Sequence, residues 1–329
     1  MTSFIVQLIA QIEAGEDAGS LLGSKKLMVG VPKKFGLTDF VDLELDSRNK
    51  SQVKKAQGYS IEVFKATVAY LHNISVEYIA SANEDGSCVE DYNALLDQIP
   101  KGKYDAVVGN VTIMANRSNF VDFTLPYTQS DVKILVKLQP RYPSEYDVMN
   151  DHNVKVGYEG GSFIRSILKS LSFEKSRVKK YSTIEQYKEA LDKGSNKGGI
   201  DAIYDEVPYI KVFLKHYGPN HAMVETRHHN NEFGFAFPKG CNLTSHFSRA
   251  ILHVRESIEM DGIEKKYFGS SDNDKGRDLS TSSLDDSSTN RLTTYSFAGL
   301  FMLIGILSLL ALLISGSCIW RKPIMLAKT

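Results

Sequence analysis

The feature that most limits the fold is a strand–helix–strand pattern that runs through the first half of the chain and then starts again. Leu27 to Val31 reads as a strand. Tyr59 to His72 carries Ile61, Phe64, Val68 and Leu71 at helical spacing. Ser75 to Ala80 reads as a strand, Glu90 to Ile99 as a helix, Ala106 to Val108 as a strand, and Val132 to Val136 as a further apolar strand. The second round takes Val154 to Val156 as a strand, with Ser162 as N-cap candidate for a helix over Phe163 to Leu171. A helix follows over Thr183 to Lys193, capped by Ser182 or Thr183, then a strand over Ile200 to Tyr204 and a helix over Val207 to His216. Glu232 to Phe237 reads as an aromatic strand and Ser245 to Met260 as one helix, before Ile263 to Phe268 finishes the globule. Such units imply parallel strand pairs with helices on the sheet faces, an α/β fold. A chain of 329 residues exceeds one small core, so two lobes are expected.

Formal net charge is zero with 24% charged residues, which argues against a nucleic-acid surface. Cys88, Cys241 and Cys318 are widely spaced and no Cys/His pattern suggests a metal, so neither metal nor cofactor is expected. Tyr295 to Trp320 is almost wholly apolar and free of charge, enough for one helix to span a bilayer. Tyr295 and Trp320 fall at its ends, and Arg321, Lys322 and Lys328 follow, which places the C-terminus in the cytoplasm. The segment before it, 270–294, is rich in Ser, Asp and Thr and reads as a flexible stalk. Residues 1–24 read as a connector; Phe4 to Ile9 is apolar but lacks the basic flank of a signal peptide.

The segment Asp105-Ala-Val-Val-Gly-Asn-Val-Thr-Ile-Met-Ala-Asn-Arg117, continuing through Asp122 to Tyr127, reads as a buried strand, a loop bearing Thr112 and a lone Arg117, and a returning strand. Arg carries a planar donor fork that matches a carboxylate. Together with Lys26-Leu-Met-Val-Gly-Val-Pro32, Gly58-Tyr-Ser-Ile-Glu-Val-Phe64, Val156-Gly-Tyr-Glu-Gly-Gly-Ser-Phe163, Asp205-Glu-Val-Pro-Tyr-Ile210 and Phe233-Gly-Phe-Ala-Phe-Pro-Lys-Gly240, it resembles the ligand-binding core of ionotropic glutamate receptors, specifically the plant glutamate receptor-like channels. The resemblance covers about Lys25 to Gly269 and the apolar C-terminal segment.

That resemblance implies a bilobed clamshell like the type II periplasmic binding proteins, with lobe 1 over about 25–132 and 240–269 and lobe 2 over about 137–235. A tethering helix at 295–320 and a cytoplasmic tail at 321–329 follow. The implied function is the glutamate-like amino-acid-binding region of a ligand-gated cation channel, a receptor and not an enzyme, held on a plasma membrane with its core outside. Arg117 is implied to clamp the ligand α-carboxylate, helped by backbone N–H groups of Ser162 and Phe163 at a helix N-terminus. Thr112 and Asn110 are implied to receive the ligand ammonium, opposite Asp205 or Glu206, with Glu206 favoured and Tyr209 lining the cleft.

The departures from the family are also informative. Relatives usually carry an acid at position 110, so Asn110 implies a plain hydrogen bond in place of a charged one, and Asn110→Asp should then tighten binding. Both partners of a family disulfide are missing, Gly218 standing where the first cysteine is expected. The chain passes from Val136 straight to Pro140 where the family inserts its pore helices, so a pore block is absent and the implied partners, besides the ligand and the membrane, are full-length receptor-like subunits. A non-conducting structural or regulatory subunit, or a truncated gene product with an inactive cleft, is the alternative. An enzyme on the same fold would need an acid/base pair, for which Glu206 with His152 is the candidate.

Overall fold

The central strands of this protein are buried along most of their length because each sheet is covered on both faces. The computed structural model describes residues 26–269, apart from 34–35, 47–51, 72–73, 82–91, 139–141, 143, 219 and 228–231. The connector, the stalk, the apolar segment 295–320, the tail, and Cys88 and Cys318 lie outside the described residues. Among the described residues no helix is long and apolar enough to cross a membrane, and Cys241 is a free thiol.

The first sheet begins with β1 (Leu27–Pro32); β2 (Asp42–Leu45) and β3 (Val53–Gln57) form a separate hairpin beside it. Helix α1 (Tyr59–Leu71) leads to β4 (Val76–Ser81), and the short α2 (Tyr92–Leu96) leads to β5 (Ala106–Val107). β6 (Val121–Phe123) returns, and β7 (Thr128–Gln129) leaves this lobe. The second sheet is built from β8 (Val132–Lys137), then α3 (Glu145–Asn150), β9 (Val156–Glu159), α4 (Ile164–Ser170), β10 (Val178–Tyr181), α5 (Ile184–Lys193), β11 (Ala202–Glu206), α6 (Val207–Tyr217) and β12 (His221–Val224). β13 (Glu232–Phe233) crosses back, β14 (Ala236–Pro238) rejoins the first sheet, and α7 (Leu243–Arg255) and α8 (Ile258–Phe268) close the chain.

The sheet orders are β4-β1-β5-β14-β6 and β10-β9-β11-β8-β12. β1 pairs in parallel with β4 and β5, and β9 with β10 and β11. The chain therefore adopts the α/β, two-sheet arrangement expected of a bilobed binding protein. β7 and β13 pair antiparallel, Phe233 opposite Thr128, and carry both crossings between the lobes. Period-2 alternation sorts the second core: Val132, Ile134 and Val136 of β8, with Ala202 and Tyr204 of β11, bury into one cluster. Leu135 and Ile203 point the other way, into a cluster that also holds Leu27, Phe40, Tyr59 and Tyr209 and so joins the two lobes.

Some elements differ from the sequence expectation for local reasons. The span Ser245–Met260 is two helices, because Ser257 is extended and its hydroxyl accepts from the Met260 N–H at 3.3 Å, which starts α8 afresh. Ser162 does not cap α4; Phe163 occupies that position without a side-chain bond, and the Ser162 hydroxyl donates to the Glu159 carbonyl at 2.7 Å. Thr183 does cap α5, accepting from the Gln186 N–H at 3.2 Å. The 232–237 strand is split at Gly234, where a Cβ would stand 2.9 Å from the Ile113 side chain. The strand expected over 200–204 runs instead over 202–206, which carries both acids of the Asp205-Glu206 pair inside the sheet.

Candidate functional site

β5 stops at Val107, and the chain turns through Gly109 and Asn110 to Thr112, whose backbone bridges Phe233 of the crossing strand. A single helical turn then begins at Arg117, with the Asn116 side chain accepting from its N–H at 2.9 Å. The Arg117 side chain is buried, 3% exposed, and its fork is aimed by two fixed acceptors. Nε donates to Asn93 Oδ1 at 2.9 Å and Nη1 to the Thr112 carbonyl at 2.8 Å. The guanidinium carbon stands 5.8 Å from the centre of the Tyr92 ring. The Tyr92 hydroxyl donates to Asn110 Oδ1 at 2.5 Å.

The second lobe supplies the opposite wall. β9 ends at Glu159, followed by Gly160-Gly161-Ser162-Phe163; β11 ends at Glu206, and α6 starts at Val207 with Pro208 in its first turn, where a missing N–H costs nothing. Glu206 is buried and reaches the first lobe: its Oε1 accepts from Thr112 Oγ1 at 2.9 Å and also from Ser130 Oγ. Tyr209, one turn on, lies against Phe40 of the first lobe with ring centres 4.6 Å apart.

These side chains surround a small cavity that leaves about 10 Å³ for the centre of a water-sized sphere. It is lined by Tyr92, Asn110, Thr112, Arg117, Glu159, Gly160, Gly161, Ser162, Phe163, Glu206 and Tyr209. The structure thus brings together seven of the eight residues singled out from the sequence. The exception is Asp205. Successive side chains of a strand point to opposite faces, so Asp205 turns away from Glu206 and into the lobe. There Tyr187 Oη donates to Oδ2 at 2.7 Å and the Glu206 N–H to Oδ1 at 2.9 Å. Ser162 lines the cavity, but its N–H is already given to the Glu159 carbonyl at 3.3 Å. His152 is exposed and does not line the cavity, so the acid/base pair it would form with Glu206 is not assembled there.

Sequence reasoning missed Tyr92, Asn93, Ser130 and Glu159. Glu159 stood beside the quoted Gly-Gly-Ser run, whereas Tyr92 and Asn93 carried no signal beyond a helical pattern. Among the described residues no cluster of His, Cys, Asp and Glu could hold a metal ion.

Burial, and after it the nearby Glu159 carboxylate, holds the Asp205 carboxyl well above the usual carboxylate range; the bonds from Tyr187 and the Glu206 N–H oppose this only in part. A carboxyl whose pKa is higher folded than unfolded keeps its proton in the native state after the unfolded chain has lost it. Stability therefore falls as pH rises above about 4, the ordinary Asp value, until the native carboxyl itself ionises. Asp205→Asn keeps the shape and removes the titration. It is expected to raise the melting temperature at neutral pH and to flatten the pH dependence between about pH 4 and 7. Melting curves across that range check it, and a lower melting temperature for the variant at pH 7 would refute the assignment.

Residues 44–270 match the family model for bacterial extracellular solute-binding proteins, family 3. The chain belongs to that family. Its relatives include Glutamate receptor 2.7 of Arabidopsis thaliana, 31% identical over 396 residues, covering 88% of this chain and 40% of the relative. Glutamate receptor 2.5 of the same plant is 27% identical over 400 residues, covering 88% of this chain and 43% of the relative. The likeness to plant glutamate receptors read from the motifs is thus found along most of the chain, which spans 40% to 43% of the length of these relatives. The match to Glutamate receptor 2.7 runs over 396 residues while using 88% of a 329-residue chain, so that relative carries inserted residues with no counterpart here.

Solved structures give the same fold. The GluR0 ligand-binding core in complex with L-glutamate matches with a TM-score of 0.57 and 17% identity over 75% of this chain and all of that one, 100%. The AvGluR1 ligand-binding domain in complex with serine matches with a TM-score of 0.57 and 18% identity over 76% of this chain and 97% of that one. Family and fold are those of binding proteins.

Proposed function

We propose that this chain is the amino-acid-binding region of a plant glutamate receptor-like channel subunit. The observation that carries the reading is one small cavity with a buried cation on one lobe, Arg117, and a buried anion on the other, Glu206. A free α-amino acid has the matching pair of charges. Its carboxylate would pair with the Arg117 fork and its ammonium with Glu206, assisted by the Thr112 oxygen, so that one ligand draws on both lobes. The solved relatives' bound glutamate and serine support the class of ligand.

In this reading segment 295–320 is a single membrane helix that holds the core outside the cell and the tail at 321–329 inside. The pore helices of the parent family are missing between Val136 and Pro140. A pore must be lined by several helices or a closed barrel, so conduction would need full-length subunits as partners. Calorimetric titration of the purified chain with each of the common amino acids is expected to show saturable binding of at least one. Failure of all of them would leave a structural subunit with an inactive cleft as the better reading. Recording from cells that express this chain alone is expected to show no amino-acid-evoked current, and a robust current would refute the missing pore.

A further inference from the structure

Asn-x-Ser/Thr triplets, the acceptor pattern for an N-linked glycan, begin at Asn49, Asn73, Asn110, Asn116 and Asn242. Asn49 and Asn73 lie outside the described residues. The triplets at Asn110 and Asn116 are engaged in the fold. Asn110 is buried, its Oδ1 accepts from the Tyr92 hydroxyl at 2.5 Å, and the Thr112 hydroxyl of its triplet donates to Glu206 at 2.9 Å. Asn116 is exposed, but its side chain accepts from the Arg117 N–H at 2.9 Å, and the Ser118 hydroxyl of its triplet donates to the Met114 carbonyl at 3.2 Å.

Asn242 differs on both counts. It is exposed where the chain enters α7, and its side chain caps no N–H of that helix. Two residues on, Thr244 Oγ1 is buried and has no hydrogen-bond partner. A buried hydroxyl without a partner costs desolvation and returns nothing to the fold. It is nonetheless the group that completes the triplet. The buried side of α7 packs on lobe 1, Phe247 stacking on Phe64 with ring centres 5.5 Å apart. No residue of α7 lines the cavity between the lobes, so a bulky group on Asn242 meets solvent and leaves the cleft free.

We propose that Asn242 carries an N-linked glycan; the inference rests on the reading that the binding core lies outside the cell, which takes it through the secretory lumen where such sugars are added. The donor is a lipid diphosphate-linked oligosaccharide. Asn242 Nδ2 displaces the diphosphate from the anomeric carbon. The C–N bond forms, the C–O bond breaks, the amide gives up one proton, and the lipid diphosphate leaves. Transfer precedes folding, while the Thr244 hydroxyl is still accessible to the transferase. Folding then buries the hydroxyl and keeps the sugar in water.

The test is expression of the full chain in yeast as wild type, Asn242→Gln, Thr244→Val and Thr244→Ser. On a denaturing gel wild type is expected to move faster after treatment with peptide N-glycosidase. Asn242→Gln and Thr244→Val are expected to run one glycan step faster than untreated wild type, whereas Thr244→Ser keeps the sugar. The same chains made in bacteria, which add no such sugar, give melting curves. There Thr244→Val is expected to melt at or above wild type, since a methyl group replaces an unpaired hydroxyl, so its loss of the glycan is not a loss of fold. Protease treatment of sealed microsomes reads the orientation independently. A protected core whose mobility is the same in wild type and Asn242→Gln would overturn the inference and leave the proposed function standing. A core open to protease and free of sugar would overturn the inference and refute the outside orientation with it.

Discussion

Replacing Arg117 with alanine is expected to weaken amino-acid binding by roughly 2 to 5 kcal/mol, about thirtyfold or more in the dissociation constant. The loss is large because the site is buried on both sides of the pair. The Arg117 side chain is 3% exposed, so a carboxylate brought against it leaves water, and without the guanidinium that charge has no counterpart there. Asn93 and the Thr112 carbonyl hold the fork in place before any ligand arrives, which lowers the ordering cost of binding. The same two bonds mean that the variant also loses some stability, so its melting temperature must be measured beside its affinity. Arg117→Lys separates the effects. It keeps the charge but not the two-pronged geometry, and should recover part of the affinity. An alanine variant that stays folded and binds as tightly as wild type would remove Arg117 from the site.

Glu206→Gln is expected to cost about 1.5 to 3 kcal/mol of binding, the range for a hydrogen bond to a charged group. The substitution is narrow. The glutamine oxygen still accepts from Thr112 Oγ1 and Ser130 Oγ, so the tie between the lobes keeps its shape. What disappears is the negative charge opposite the ligand ammonium. Binding should therefore fall while thermal stability changes little, a combination that separates a ligand contact from a merely structural one. Calorimetry with the best wild-type ligand, paired with melting curves, reads both. If affinity is unchanged, the ammonium lies elsewhere in the cavity. If stability collapses with it, the Glu206 charge serves the lobe interface and not the ligand.

Much of the frame was legible because it depends on local chemistry. The helical spacing of Ile61, Phe64, Val68 and Leu71 appears as α1, and the Thr183 cap appears where a hydroxyl precedes an amphipathic run. Elements with weaker patterns were not legible. β3, with Lys54 and Lys55 exposed, and β10, with two lysines, gain their strand form from pairing with β2 and β9. The break at Ser257 was not read from the sequence, because the apolar positions on both sides suggested one continuous helix.

The site divides in the same way. The resemblance of the motifs to the glutamate receptor family implied Arg117, Thr112 and Glu206 as partners for the two ends of an amino acid. The strand period also requires that Asp205 and Glu206 point to opposite faces. Which face meets the cleft is decided only when α5 packs its Tyr187 against one side of β11 and Thr112 arrives at the other. Asn110 shows the limit most clearly. An amide is both donor and acceptor in the sequence, and the Tyr92 hydroxyl, brought in by α2, takes the oxygen and leaves the nitrogen buried without a partner. The chain determined which groups were available; packing between residues far apart in sequence decided which of their atoms remained to meet a ligand.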